Sequence, residues 1–101
     1  MGVIKSTAIR KAARGQDCTM QVVGVCNFNP ETTIHAHFPS EIAGYKATDI
    51  SGGQICSACH DWIDRRIPSD DSDREFYMRR SQVRTMTRLV DMGIITVKGA
   101  A

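Results

Sequence analysis

Cys56-Ser57-Ala58-Cys59-His60-Asp61 is the stretch on which the fold turns. Two thiols at the spacing of a zinc knuckle supply two soft ligands, and Cys18 and Cys26 can complete a tetrahedral four-thiolate site. The earlier pair is separated by more than a knuckle, so a turn between its members must bring both sulfurs to one place. Such a site would pin two distant segments together and present the histidines beside them. The same letters also spell a c-type haem attachment motif. That reading needs an exported apoprotein and an axial ligand such as Met78 or Met86, and it leaves Cys18 and Cys26 without a use.

Working outward, size makes a staple expected. With 101 residues the chain is expected to form a single domain over 1–101. A chain this short buries only roughly 60–65% of its unfolded surface. One Trp, two Tyr, three Phe and five Met make a thin core. Structural zinc contributes about 10–16 kcal/mol of apparent binding energy in small peptides, enough to decide folding. No apolar run approaches the roughly 20 residues of a membrane span. Met1-Gly-Val-Ile-Lys-Ser6 lacks a secretory apolar core, so the expected location is the cytoplasm, where thiols stay reduced and bind metal.

Periodicity and punctuation predict an α+β chain. Ser6 to Arg14 reads as a short helix capped by Ser6 or Thr7 and stopped at Gly15. Residues 18–26 look like β structure around a turn at Gly24, and Asn27 to Glu31 like a loop. Thr32 to Phe38 alternates as a strand does and stops at Pro39. Residues 39–55 read as a long loop that has room for a short strand. A helix is predicted from Ser57 to Arg66. A longer one follows over about 73–92, with an apolar stripe of Phe76, Val83, Met86, Leu89 and Val90 and a stop at Gly93. Asp70-Asp71-Ser72-Asp73 reads as the cap and dipole partner of that helix. Ile94 to Val97 has the composition of a final short strand.

The histidines suggest chemistry. His35 and His37 are two apart on a predicted strand and share a face, with Ala36 opposite. His60 and Asp64 are four apart on a predicted helix and also share a face. A strand ending in histidine, a loop, then a helix carrying His and a carboxylate is the layout of a ββα-metal nuclease site. In that arrangement the strand histidine deprotonates a water while the helix pair holds a divalent ion such as Mg²⁺ on the scissile phosphate.

Lys11-Ala-Ala-Arg-Gly15, Gly24-Val-Cys-Asn27, Asn29-Pro-Glu-Thr32, Ala36-His37, Cys56-Ser-Ala-Cys-His-Asp61 and Ile63-Asp-Arg-Arg66 together resemble the small phage and prophage nucleases of the YbcO kind, a family placed with the HNH, or His-Me finger, endonucleases. The resemblance covers residues 8–66 in patches and the C-terminal helix more weakly. It implies a small zinc-stapled ββα-metal domain with an extra C-terminal helix. It further implies that Cys18, Cys26, Cys56 and Cys59 hold structural zinc, that His37 is the general base, and that His60, with Asp64, ligates the catalytic metal. Two departures stand out. HNH enzymes place an Asp or His ligand just before the base, where this chain has Ala36. The bracing central Asn is also missing, and Asp49 or Ser51 is the nearest polar residue. His35 is read as auxiliary, for instance a phosphate contact.

The net charge is a modest +2, but its distribution suggests DNA as the partner. Arg65 and Arg66 follow the second cysteine pair, and Arg80, Arg84 and Arg88 form an i, i+4 stripe able to track a phosphate backbone. Two functions emerge. One is a metal-dependent DNA endonuclease of phage type. The other is a catalytically inactive, zinc-stapled DNA-binding or recombination-accessory module, favoured by Ala36. Selecting a site with so little surface would call for a homo-oligomer or a recombination partner protein.

Overall fold

The computed structural model describes residues 4–38, 48–64 and 68–99. Its elements run α1 (Thr7–Ala12), a 3-10 turn (Pro30–Thr32), β1 (Ile34–His37), β2 (Gly52–Ile55), α2 (Ser57–Ile63) and α3 (Asp71–Asp91). The two strands pair antiparallel, Ile34 opposite Ile55 and His37 opposite Gly52. The result is a small α+β domain with a two-stranded sheet and helices. None of the described helices is long and apolar enough to cross a membrane.

Local chemistry explains most boundaries. Ser6 caps α1 by accepting the Ile9 amide, and Gly15 lies at φ +76, where a side chain would be strained. Asn29 caps the 3-10 turn within the predicted loop. Asp70 accepts the Ser72 amide and starts α3, with Asp71 and Asp73 in its first turn. The predicted short strand inside 39–55 is β2, whereas residues 39–47 lie outside the described residues. α2 starts at Ser57 as expected and runs to Ile63, with Asp64 as the cap, its amide still donating to His60 O.

Two expectations are overturned and a third holds only in part. Residues 18–26 form no strand; they make a tight loop in which Val22 O accepts the amides of Val25 and Cys26. Gln21 and Gly24 take positive φ there, a conformation incompatible with a strand. Ile94 to Val97 is likewise not a strand, because Leu89 O accepts the amides of both Ile94 and Ile95 and curls the chain against the helix end. The apolar stripe assigned to α3 is the partial one, since Leu89 is buried and Met86 and Val90 half-buried but Phe76 and Val83 are 58% and 68% exposed. The face that α3 buries is made of Arg74, Ser81, Thr85 and Leu89.

Small residues lie on that face because α3 rests directly on β2. A Cβ on Gly53 would overlap Ser81 Oγ and crowd the Phe38 ring. Most of the polar groups trapped in this contact pair with one another, although Gln54 Nε2 is buried without a partner. Thr19 donates its hydroxyl to Gln54 O at 2.8 Å and lies 2.6 Å from Ser81 Oγ, while the Gln54 amide donates to Thr85 Oγ1 at 2.9 Å. The arginines of α3 extend the grip: Arg80 donates to Met20 O and Gln21 O, Arg84 to Thr19 O, and Arg88 to Asp17 O and the Gln54 side chain. Arg74 does the same for the other partner, donating to Trp62 O near the end of α2.

The apolar core fills the space these contacts enclose. Met20, Val22, Ala36, Phe38, Ile55, Trp62 and Ile63 pack with Cys18, Cys56 and Cys59, and Tyr77 meets Trp62 edge to face at 5.4 Å between centroids.

Gly53→Ala is expected to lower the stability by about 1–3 kcal/mol, the range for overpacking a filled core. A urea melt against the parent chain measures it.

Candidate active site

The four cysteines are brought together. Their sulfurs all lie within 4.8 Å of one another, and no disulfide joins them. The Cys26 and Cys56 sulfurs are 3.8 Å apart. A disulfide would require about 2.05 Å. A tetrahedron of thiolates about 2.3 Å from a zinc ion has an edge of about 3.8 Å, so the donor set fits that ion. Two amides already point at sulfur: Gln21 N–H donates to Cys18 and Cys59 N–H to Cys56, each at 3.4 Å. The second of these makes the Cys56 sulfur the N-cap of α2. Both thiols of the haem-type motif are thus committed to the cluster.

Neighbouring thiols separate in acidity. The hydrogen bond from Cys59 holds the Cys18 thiol down to about 5. The same bond pushes Cys59 up, and burial pushes Cys26 up to about 11. A cation among the four sulfurs would favour their ionised form.

A second brace joins the cluster to β1. Asn27 donates to Ser57 Oγ, and Thr32 Oγ1 accepts the Ser57 amide. The segment leading into β1 is therefore tied to the first turn of α2.

Along β1 the alternation is as predicted. Ala36 is buried in the core, while His35 and His37 turn to the other side, their rings edge to face at 5.9 Å. Both meet Asp49. His35 Nε2 lies 2.7 Å from Asp49 O, which fixes that nitrogen as the donor, and its Nδ1 is buried without a partner. Burial lowers the His35 pKa, partly opposed by the bond to Asp49. His37 Nε2 lies 2.7 Å from Asp49 Oδ1, with a third of its side chain open to solvent.

Asp49 itself is fully buried. Burial favours its neutral form, but the Ser6 amide, His37 and Arg10 outweigh that and hold its carboxyl at about 2. The Ser6 amide donates to Oδ2, and Arg10 Nε is 3.1 Å from both oxygens. The ligand atoms of His35, His37 and Asp49 lie within 4.8 Å of one another, a spacing that a metal would accept. Yet both Asp49 oxygens are already engaged and a guanidinium lies against them, so the carboxylate is better suited to orient His37 than to receive a second cation. Ser6 and Arg10 were not anticipated; they lie 43 and 39 residues from Asp49, and no local pattern announces them.

The other expected site residues are distributed as follows. His60 Nε2 and Asp64 Oδ2 pair at 3.2 Å, one turn apart on α2 and about a third exposed. Among the described residues they belong neither to the four-cysteine cluster nor to the trio of His35, His37 and Asp49. Arg65 and Arg66 lie outside the described residues. Arg80, Arg84 and Arg88 each commit one terminal nitrogen to the loop before β1, a holding role the sequence did not suggest.

Asp49 ionises more readily in the fold than its ordinary value of 3.8, so the unfolded chain binds the extra proton between that value and about 2. Its stabilisation is expected to be complete above about pH 4 and to disappear as the pH falls toward the folded value. Acid unfolding of the parent against Asp49→Asn measures it, with the difference between the two shrinking across that window.

Comparison with known proteins gives a consistent picture. The family model described as "Putative nuclease YbcO" matches residues 7–94. "Putative nuclease YbcO" of Escherichia coli (strain K12) and "Putative nuclease ybcO" of Enterobacteria phage 82 are each 49% identical to this chain over 61 residues, 57% of this chain. The chain spans 64% of the length of these curated relatives. A solved structure, "Structure of a putative bacteriophage protein from Escherichia coli str. K-12 substr. MG1655", superposes with a TM-score of 0.74 at 39% identity, covering 85% of this chain and 100% of that one. With residues 7–94 matched, the chain belongs to the YbcO family.

Proposed function

We propose that this chain is a metal-dependent endonuclease of the HNH type that hydrolyses DNA phosphodiester bonds, with His37 as the general base. The observation that carries this reading is the 2.7 Å contact between His37 Nε2 and the buried, ionised carboxylate of Asp49. A carboxylate accepts from Nε2–H, which leaves the lone pair on Nδ1 and selects one tautomer. Nδ1 can then take a proton from water as its oxygen attacks phosphorus and the P–O bond to the leaving strand breaks. Asp49 stabilises the imidazolium that results. On this reading Asp49 does the bracing that an Asn does elsewhere in the HNH group.

His60 and Asp64 are the proposed holders of a divalent ion. One nitrogen and one oxygen donor on an open helix face suit Mg²⁺ or Mn²⁺ completed by water and phosphate oxygens. Bound there, the ion would supply positive charge to the scissile phosphate. In the order β1, β2, α2 the base histidine ends the first strand and the helix pair follows the second, which supports the ββα-metal assignment. The family's description as a nuclease points the same way. The four thiolates are assigned to structural zinc.

One observation favours the second reading, a DNA-binding module without chemistry. Ala36 stands where HNH enzymes keep a ligand, and it is buried in the core at 3% exposure. A module of that kind would bind DNA unchanged without His37.

Supercoiled plasmid with Mg²⁺ or Mn²⁺ separates the two. Nicking that falls by about 10²–10⁴-fold in His37→Ala and stops with EDTA supports the base assignment. Intact plasmid beside folded protein would favour the binding module. For the staple, metal analysis of the purified chain is expected to give one zinc per chain. Cys59→Ser should fail to fold or melt far lower, since zinc supplies about 10–16 kcal/mol in comparable peptides.

A further inference from the structure

The outward face of α3 presents an aromatic ring among guanidinium groups. Phe76 and Val83, the exposed members of the predicted stripe, line an open groove of about 370 Å³ with Arg79, Arg80 and Arg84. Its walls are almost wholly apolar, formed by ring, methyls and arginine stems. Arg80 lies over the Phe76 ring at 5.6 Å and over Tyr77 at 4.9 Å, while its terminal nitrogen is tied to the carbonyls of Met20 and Gln21. The cation is therefore fixed, and Phe76 is stacked against it in turn. Phe76 also meets Tyr77 edge to face at 5.3 Å.

The charge of the groove selects its occupant. Carbonyl hydrogen bonds leave the guanidiniums of Arg80 and Arg84 positive. Arg79 pairs with Glu75 at 2.7 Å, but both side chains are largely exposed, and water and salt screen that pair. The balance on the groove is cationic. Its occupant should then combine a flat apolar face with negative charge. An unpaired nucleotide has both, a base to stack and a phosphate to pair. A duplex hides its base faces and would leave Phe76 and Val83 unused.

We propose that this groove binds single-stranded DNA, one base stacking on Phe76 beside Val83 and the neighbouring phosphates meeting Arg79 and Arg84. The inference rests on the endonuclease reading and deepens it, naming as substrate class DNA with an unpaired stretch. It goes beyond the phosphate-tracking stripe by assigning a stacking platform and by drawing in Arg79.

The test is fluorescence anisotropy with the His37→Ala chain of residues 1–101 and no added divalent ion. The probes are a labelled twelve-nucleotide oligothymidylate, a duplex of the same length, and a polyglutamate competitor. Oligothymidylate should bind more tightly than the duplex, and Phe76→Ala should weaken it by about tenfold, as expected for loss of one stacked base. Arg79→Gln should weaken binding and flatten its dependence on salt. Phe76 and Arg79 are surface residues, and thermal melts verify that both variants fold. Undiminished binding by folded Phe76→Ala, tighter binding of the duplex, or competition by polyglutamate as strong as by unlabelled oligothymidylate would each overturn the proposal. Because no cleavage is read, failure of the nuclease assignment leaves the outcome intact.

Discussion

Gly53 has no side chain, and α3 occupies the room that absence leaves. The rest of the molecule follows from that close approach. It puts Ser81 and Thr85 within hydrogen-bonding reach of Thr19 and Gln54, so a helix, a strand and a loop share one buried polar knot. With the helix at that depth, Arg80, Arg84 and Arg88 reach the carbonyls of residues 17–21 and hold the loop that carries Cys18. Cys18 in turn meets Cys56 and Cys59 at the start of α2, and Gly52, adjacent to the contact, pairs with His37. The candidate base and the thiolate cluster are thus both referred to one packed face.

Much of this was readable in the residues and some was not, for identifiable reasons. The knuckle at Cys56 and Cys59, the shared face of His35 and His37, and the start of α2 were accessible because spacing alone determines them. The caps Ser6 and Asp70 were accessible because a side-chain acceptor ahead of a helix has few other uses. The loop of residues 18–26 misled because Met20 and Val22 alternate like a strand, and both are indeed buried, but in the service of the cysteine cluster. The face of α3 misled for the opposite reason. Hydrophobic periodicity assumes that the buried side is greasy, and here the tightest contact needs small hydroxyls.

The arginines show how a count of charges can misrepresent a surface. Arg74 is nearly buried and serves the end of α2; Arg80 and Arg84 are part carbonyl clamp and part groove wall. Arginine suits both duties, since its planar fork leaves donors on one edge free while another is engaged. The modest net charge of +2 therefore understates how positively the helix faces solvent where Phe76 emerges.

Asp49 gathers groups from two separate segments, because Ser6 and Arg10 enter from around α1 and His37 from β1. The orientation of the imidazole is then not a property of the sheet alone. Two hydrogen bonds separate α1 from the ring, and both converge on one carboxylate. The direction in which the ring points is therefore tied to where α1 sits as well as to the strand that carries it.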